Sequence, residues 1–341
     1  MHNDLKSASD KPYQRRGEKP SSREGAILIS IIVPVYNEQE SIALFLEKTL
    51  EILLKTGEEF ELLFVNDGSS DNTLSVLKQA AVEENSIRII DLSRNFGKEA
   101  ALTAGLDLAS GDVVIPIDVD LQDPPELILD FVAKWREGYD VVNGVRVDRS
   151  TDTALKRNSS KGFYRLFNRL SQTTLPENVG DFRLMDRQVI EAIKRMPERN
   201  RFMKGIFAWV GFKTCEIPYV RPQRVAGATS WNYWKLWNFA LDGMFGYSTA
   251  PLRIWTYAGF LLALLSILYG LFIIVKTIVF GIDVPGYASL ISVILFLSGI
   301  QIISLGVIGE YIGRIFLEVK KRPVYLIREV ISNVGDDGLS S

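Results

Sequence analysis

Two acids one residue apart, Asp118 and Asp120, close the apolar run Val113-Val114-Ile115-Pro116-Ile117, and a third, Asp123, stands just before Pro124-Pro125. A strand that ends in alternating carboxylates puts hard oxygen ligands at its carboxyl edge, where open α/β sheets bind their ligands. Oxygen-only ligation suits Mg2+ or Mn2+ rather than zinc. The chain has one histidine, His2, in a polar stretch, and one cysteine, Cys215. This excludes Ser-His-Asp triads, His-ligated zinc or iron, intramolecular disulfides and thiolate clusters. Chemistry must run on carboxylates, cationic side chains and an oxygen-loving divalent ion. A formal net charge of −2 offers no basic excess to attract nucleic acid.

The elements that must position these acids are legible as alternating patterns. Residues 1–25 are polar and read as a disordered tail without a signal-peptide core. Ile27–Val35 is a short β-branched run expected to be a buried parallel strand, and Glu38–Leu54 has apolar residues at helical spacing. Strands are expected at Phe60–Val65, Ile87–Leu92, Val113–Ile117 and Asp140–Asn143, and helices at Lys98–Ala109 and Leu127–Arg136. Alternation of this kind predicts a doubly wound, mostly parallel α/β sheet. Every strand-to-helix exit carries polar groups, and such exits converge on one edge. The first exit, VPVYNEQES, contains no glycine, so the turn that lets a dinucleotide pyrophosphate approach a helix is absent.

The ordered set VPVYNE, NDGSSD, SRNFGKEAAL, DVDLQDPPE and NVGDFRLMDR, followed by RVAGATSWNYWKL, two apolar spans and GEYIGRIFLEVKKRPVY, resembles glycosyltransferase family 2 with the GT-A fold. More narrowly it resembles the polyprenyl-phosphate glycosyltransferases, which include bactoprenol glucosyltransferases and dolichyl-phosphate mannose synthases. The resemblance spans about Ile27 to Ile327. It implies that Asp118 and Asp120 hold a divalent ion on the diphosphate of a nucleotide sugar, with Gln122 as a further ligand or orienter. It places Asp67 against the base and Pro34, Tyr36, Glu38, Arg94 and Lys98 along the nucleotide wall. Relatives often have Asp where this chain has Asn66. Asp123 is expected to start the helix that follows.

The implied acceptor is a lipid monophosphate, already largely anionic near neutral pH because the second pKa of a phosphate monoester is about 6. It needs no strong base; it needs cations to hold two phosphate groups together. The candidates are Arg146, Lys156, Arg157, Arg221 and Arg224, with Asp181 near the acceptor as base or sugar orienter. The family inverts, so a β-linked product is implied. Glucose from UDP-glucose is favoured among donors, with GDP-mannose and a UDP-aminoarabinose-type donor as alternatives. A processive polysaccharide synthase fits poorly, since only two spans are present, and a non-catalytic membrane scaffold would not need the acidic pair.

The division expected is a GT-A catalytic domain over 26–225, interfacial amphipathic helices over 226–252, a transmembrane hairpin over 253–318 and a cytoplasmic tail over 319–341. Trp231–Tyr247 is rich in aromatics at helical spacing, as interfacial helices are. Ile254–Val275 and Pro285–Gly309 are charge-free runs long enough to cross a hydrocarbon core of about 30 Å. Arg253, Arg314, Lys320, Lys321 and Arg322 flank the hairpin on one side, which predicts a cytoplasmic catalytic domain at a bacterial inner membrane. Gly299, Gly306, Gly309 and Gly313 predict close packing within the hairpin or a homo-oligomer contact.

Overall fold

The computed structural model describes residues 25–147, 179–196, 198–199, 201–220, 250–280 and 286–332. It divides into two compact units. The first is built on an eight-stranded sheet of order β7-β5-β6-β4-β1-β2-β3-β8. β1 (Leu28–Val35), β2 (Glu59–Asn66), β3 (Ile87–Leu92) and β4 (Val113–Pro116) form its parallel centre. The strands are buried on both faces, which is why they read as continuous β-branched runs rather than alternating ones.

One face is covered by α1 (Ile42–Thr56), α2 (Thr73–Glu83) and α4 (Leu127–Arg136), which bring Phe45, Leu53, Leu77 and Phe131 onto the sheet. The other face is covered by α3 (Lys98–Leu108), α5 (Arg187–Lys194) and α6 (Met203–Trp209), through Leu102, Ile190, Met203 and Ile206. α3 lies very close to β1: a Cβ at Gly105 would stand 2.3 Å from Ile32 Cγ2. That contact fixes the first residue of α3, Lys98, over the carboxyl edge of the sheet.

Several expectations are corrected. α1 begins at Ile42 rather than Glu38, because the residues between form a turn in which Ser41 N–H donates to Glu38 O at 3.0 Å. The fourth strand stops at Pro116, so the acids lie in the loop beyond it. The chain then departs from simple double winding. β5 (Val141–Arg146) does not join β4; β6 (Val179–Asp186) inserts between them, antiparallel to both. β7 (Thr214–Tyr219) pairs parallel to β5. The region read as a C-terminal tail contains β8 (Ile327–Ser332), antiparallel to β3. Arg328 secures it on Asp91 at 3.2 Å and Tyr325 reaches Asp107 at 2.8 Å.

The second unit contains α7 (Ala250–Phe280) and α8 (Tyr287–Val319). Each holds a segment long and apolar enough to cross a membrane, Ile254–Phe280 and Phe296–Val319. α8 runs ten residues past the expected Gly309 end, because GEYIGRIFLEV continues the helix and Glu310 pairs with Arg314 one turn on at 2.8 Å. A Cβ at Gly299, Gly306, Gly309 or Gly313 would meet nothing within 4 Å. Of the two expectations for these glycines, packing within the hairpin is not made at them among the described residues, and the contact between copies of the chain is not addressed by a single chain.

Candidate active site

Three side chains from three elements meet at the carboxyl edge. Lys98 Nζ, on the first turn of α3, lies 2.6 Å from Asp118 Oδ1 and 2.9 Å from Asp118 Oδ2 in the loop after β4. The same ammonium lies 2.9 Å from Asp181 Oδ2 at the start of β6. Burial alone would pull the lysine pKa down, but Asp118 and Asp181 outweigh it and hold Lys98 above the ordinary lysine value. Burial conversely pushes Asp181 up, and Lys98, Lys204 and Arg183 reverse this, leaving it ionised well below the usual carboxylate range. The sheet explains the meeting: β6 runs antiparallel beside β4, so its start faces the end of β4.

The loop carrying Asp118 is tightly specified. Asp120 Oδ1 accepts the Gln122 N–H at 3.1 Å. Leu121 between them is buried with φ 55°, a region that a non-glycine residue rarely adopts, and such strain concentrates at functional sites. Gln122 Oε1 is buried without a hydrogen-bond partner among the described residues. Asp118, Asp120 and Gln122 offer only oxygen donors, the type a hard divalent cation takes, and an unpartnered amide oxygen is compatible with such a role.

Asp123 does not start α4, whose N-cap is Glu126. It is buried, accepts a hydrogen bond from the Tyr219 hydroxyl, and lies 3.5 Å from Arg146 Nη2. Arg146 is the last residue of β5 rather than a residue after it, and its Nε also donates to Tyr219 Oη at 3.1 Å. The guanidinium expected to face a phosphate is thus turned toward Asp123 and Tyr219.

The opposite wall is made by the exits of β1, β2 and β3. Asn37 Oδ1 accepts from Ser70 N at 2.8 Å, and Glu38 N donates to Thr73 Oγ1 at 2.9 Å, lacing the first two exits together. Glu38 also accepts from the Ser41 hydroxyl at 2.9 Å, at the start of α1. Pro34 is half-buried and Tyr36 exposed. Asp67 is buried and accepts Phe96 N–H at 2.7 Å and Gly97 N–H at 2.9 Å. Burial raises its pKa above the ordinary value despite those bonds. A carboxylate offers about four lone-pair sites, so two remain after these contacts. Gly68 lets the second and third exits touch, since its Cβ would stand 2.4 Å from the Arg94 carbonyl carbon. Arg94 lies exposed, 4.0 Å over the Phe96 ring.

Asn66 has a direct physical reason to be an amide. Its Nδ2 donates to Asp91 Oδ1 at 2.7 Å in a buried position. An aspartate there would set two carboxylates against each other.

Pattern reading missed Glu99, Lys204 and Tyr219. Glu99 Oε2 accepts the Met203 N–H at 3.2 Å. Burial first and Asp181 second push its pKa up to about 7. Arg183, behind Asp181, is buried; its Nη2 donates to Gly180 O at 2.6 Å and its guanidinium lies 4.2 Å over the Phe207 ring. A glutamate in a helix's first turn and a tyrosine alternating along a strand are too ordinary to stand out in sequence. Lys156, Arg157, Arg221, Arg224 and the Trp231–Tyr247 segment lie outside the described residues.

With this geometry in hand, comparison with known proteins is consistent along the chain. The model of glycosyl transferase family 2 matches residues 30–194, and that of the GtrB C-terminal hairpin matches residues 250–315. The SfII prophage-derived bactoprenol glucosyl transferase of Shigella flexneri is 54% identical over 301 residues, covering 88% of this chain and 97% of the relative. The prophage bactoprenol glucosyl transferase homolog of Escherichia coli K12 is 53% identical over 302 residues, covering 89% and 99%. A solved mannosyltransferase, PcManGT from Pyrobaculum calidifontis in complex with GDP-Man and Mn2+, is similar at 20% identity and TM-score 0.41, over 64% of this chain and 61% of that one. The chain therefore belongs to glycosyl transferase family 2 and is a glycosyltransferase with a GtrB C-terminal hairpin.

Proposed function

We propose that the protein transfers glucose from UDP-glucose to a polyprenyl phosphate, giving a β-linked polyprenyl-monophosphate sugar. The observation that carries this reading is the Asp118–Lys98–Asp181 bridge, which joins the metal-side loop to a second acid at one sheet edge. The long match to bactoprenol glucosyl transferases supports the sugar and the lipid. Asp118, Asp120 and Gln122 would hold Mg2+ or Mn2+, and the orphaned Gln122 oxygen supports that ligand set. When bound, the cation neutralises charge developing on the departing nucleoside diphosphate.

The protein's own residues do the rest. The laced exits of β1 and β2, with Asp67 beneath them, form the nucleotide wall, and Tyr36 and Arg94 are exposed there for contact. Lys98 fixes Asp118 and Asp181 at one spacing and places a positive charge between the donor and acceptor sides. Asp181 stays ionised and acceptor-only, which suits orienting sugar hydroxyls; a carboxylate held so far below the phosphate's own pKa of about 6 is a poor proton acceptor. The phosphate brings its own nucleophilic oxygen, so the demand falls on cations: Lys98 among the described residues, with Lys156, Arg157, Arg221 and Arg224 as further candidates from the sequence.

The two apolar helices would hold the chain in a bacterial inner membrane with the catalytic unit on the cytoplasmic side, where nucleotide sugars are. The basic residues flanking the hairpin support this. β8 adds that both flanks of the hairpin lie on one side, since after an even number of spans the chain rejoins the catalytic sheet. Membranes carrying the protein, incubated with polyprenyl phosphate and labelled UDP-glucose, should yield a chloroform-soluble labelled lipid. GDP-mannose and a UDP-aminoarabinose donor serve as the competing arms. Asp120→Asn should abolish divalent-dependent transfer while the protein still inserts. Unchanged turnover would sink the metal role, and no labelled lipid from any donor would overturn the reading.

A further inference from the structure

The Asp123–Tyr219–Arg146 cluster takes no part in the chemistry just described, yet it joins the loop after β4 to β5, β6 and β7. Asp123 lies in the same loop as Asp118 and Asp120, between β4 and α4. Tyr219 and Arg146 are the last residues of β7 and β5. The Tyr219 hydroxyl donates to Asp123 and accepts from Arg146 Nε, so its single proton is committed to the carboxylate. Burial and Asp123 hold the Tyr219 pKa above its ordinary value, which keeps that proton in place.

The fourth residue at the cluster is Gly180, immediately before Asp181. A Cβ there would stand 2.8 Å from Arg146 Nη2, so the guanidinium lies in space only a glycine leaves open. Phe182 then packs edge-on to the Tyr219 ring, with centroids 6.2 Å apart. One buried ionic cluster therefore abuts the donor-side loop on one flank and the Asp181 strand on the other.

We propose that Asp123, Tyr219 and Arg146 form a positioning clamp that sets the Asp118–Gln122 loop against Asp181, with Gly180 as the seat for the arginine. This rests on the reading of that loop as the metal and donor site. The clamp residues act through the loop and do not touch the reacting atoms. Groups that orient metal ligands in this way typically alter metal affinity 10–100-fold when replaced.

The test uses the full-length protein in detergent and reads Mn2+ affinity by electron paramagnetic resonance with UDP present, donor KM, and the unfolding midpoint. Tyr219→Phe is expected to weaken Mn2+ about tenfold and to raise donor KM in step. Asp123→Asn keeps an acceptor for the hydroxyl but removes the partner of Arg146, and should weaken both at least as much. Phe45→Leu, in the core on the α1 face, supplies a control that lowers the midpoint while leaving both affinities unchanged. Clamp variants that behave like this control, with a lower midpoint and unmoved affinities, overturn the proposal. Should Tyr219→Phe not fold, Asp123→Asn and Gly180→Ala carry the same readout. A wild-type protein that binds no Mn2+ with UDP overturns the donor reading and the clamp together; wild-type binding with unmoved variants overturns the clamp alone.

Discussion

The two ends of the central sheet carry similar chemistry and use it differently. At the amino end, Glu61 Oε1 accepts from the Ser30 hydroxyl at 2.5 Å and from Ser110 N at 2.7 Å, while Oε2 takes Arg88 at 2.9 Å. Ser30 Oγ in turn accepts Gly111 N–H at 2.8 Å. Acid, hydroxyl and cation all have partners, and the backbone supplies two of the donors. At the carboxyl end, Asp118 and Asp181 are bridged by the half-exposed Lys98, with a strained Leu121 and an orphaned Gln122 oxygen beside them. The first cluster staples β1, β2 and β3 to the segment entering β4. The second leaves its lysine half-exposed and a buried amide oxygen without a partner among the described residues. Satisfaction of polar groups, rather than the presence of charged residues, separates a structural network from a site.

That contrast can be broken experimentally. The largest effect is expected at the carboxyl end: Lys98→Met should lower kcat by about 10²–10³-fold, the range seen on losing one preorganised donor, with little change in unfolding midpoint. Steady-state transfer to polyprenyl phosphate beside thermal unfolding measures both. Near-wild-type kcat would place Lys98 among surface cations. At the amino end the pattern should invert. Glu61→Ala strands Arg88 and the serine network, costing about 3 kcal/mol and lowering the midpoint, while activity per folded molecule stays within about twofold. An activity loss larger than the stability loss would merge the two ends into one functional unit.

The smallest effect is a change of slope. Glu99 has its carboxyl raised from 4.5 to about 7, by burial and by Asp181, against Lys98, Lys204 and the Met203 N–H. A carboxyl raised in the native state binds its proton more tightly there than in the unfolded chain. Its contribution to stability is fully present below about pH 4.5 and is lost as pH rises through about 7. Glu99→Gln should flatten that limb of the stability curve. A curve that is unaltered between pH 4.5 and 7 would show that Glu99 titrates as an ordinary carboxyl.

Local rules carried the sequence reading a long way. The parallel centre is announced by β-branched runs, because strands buried on both faces have no polar alternation to hide. α4 was readable to the residue, since Pro124 and Pro125 stop the preceding loop from continuing a strand and a strongly amphipathic pattern follows. Asp118 and Asp120 stood out because the strand before them is so short and so apolar. The reading faltered where long-range pairing decides. VGDFRLMD was legible as a motif but not as an antiparallel strand between β4 and β5, and IREVIS was read as tail. Edge and inserted strands owe their state to partners remote in the chain, and intrinsic strand preference alone is too weak to reveal them.

The same division holds for the site. The amino-acid sequence by itself determined which residues could do the chemistry: with no histidine or cysteine cluster available, carboxylates, an oxygen-loving cation and Lys/Arg were the only tools left. It also made the two apolar helices legible, because charge-free runs of this length match the thickness of a hydrocarbon core. Only the tertiary structure decided how the tools are arranged. Lys98 bridges Asp118 and Asp181 because β6 enters antiparallel, and Asp123 is buried because β5 and β7 end beside it with Arg146 and Tyr219. Composition is local, whereas the distance between two side chains depends on which strands lie next to each other.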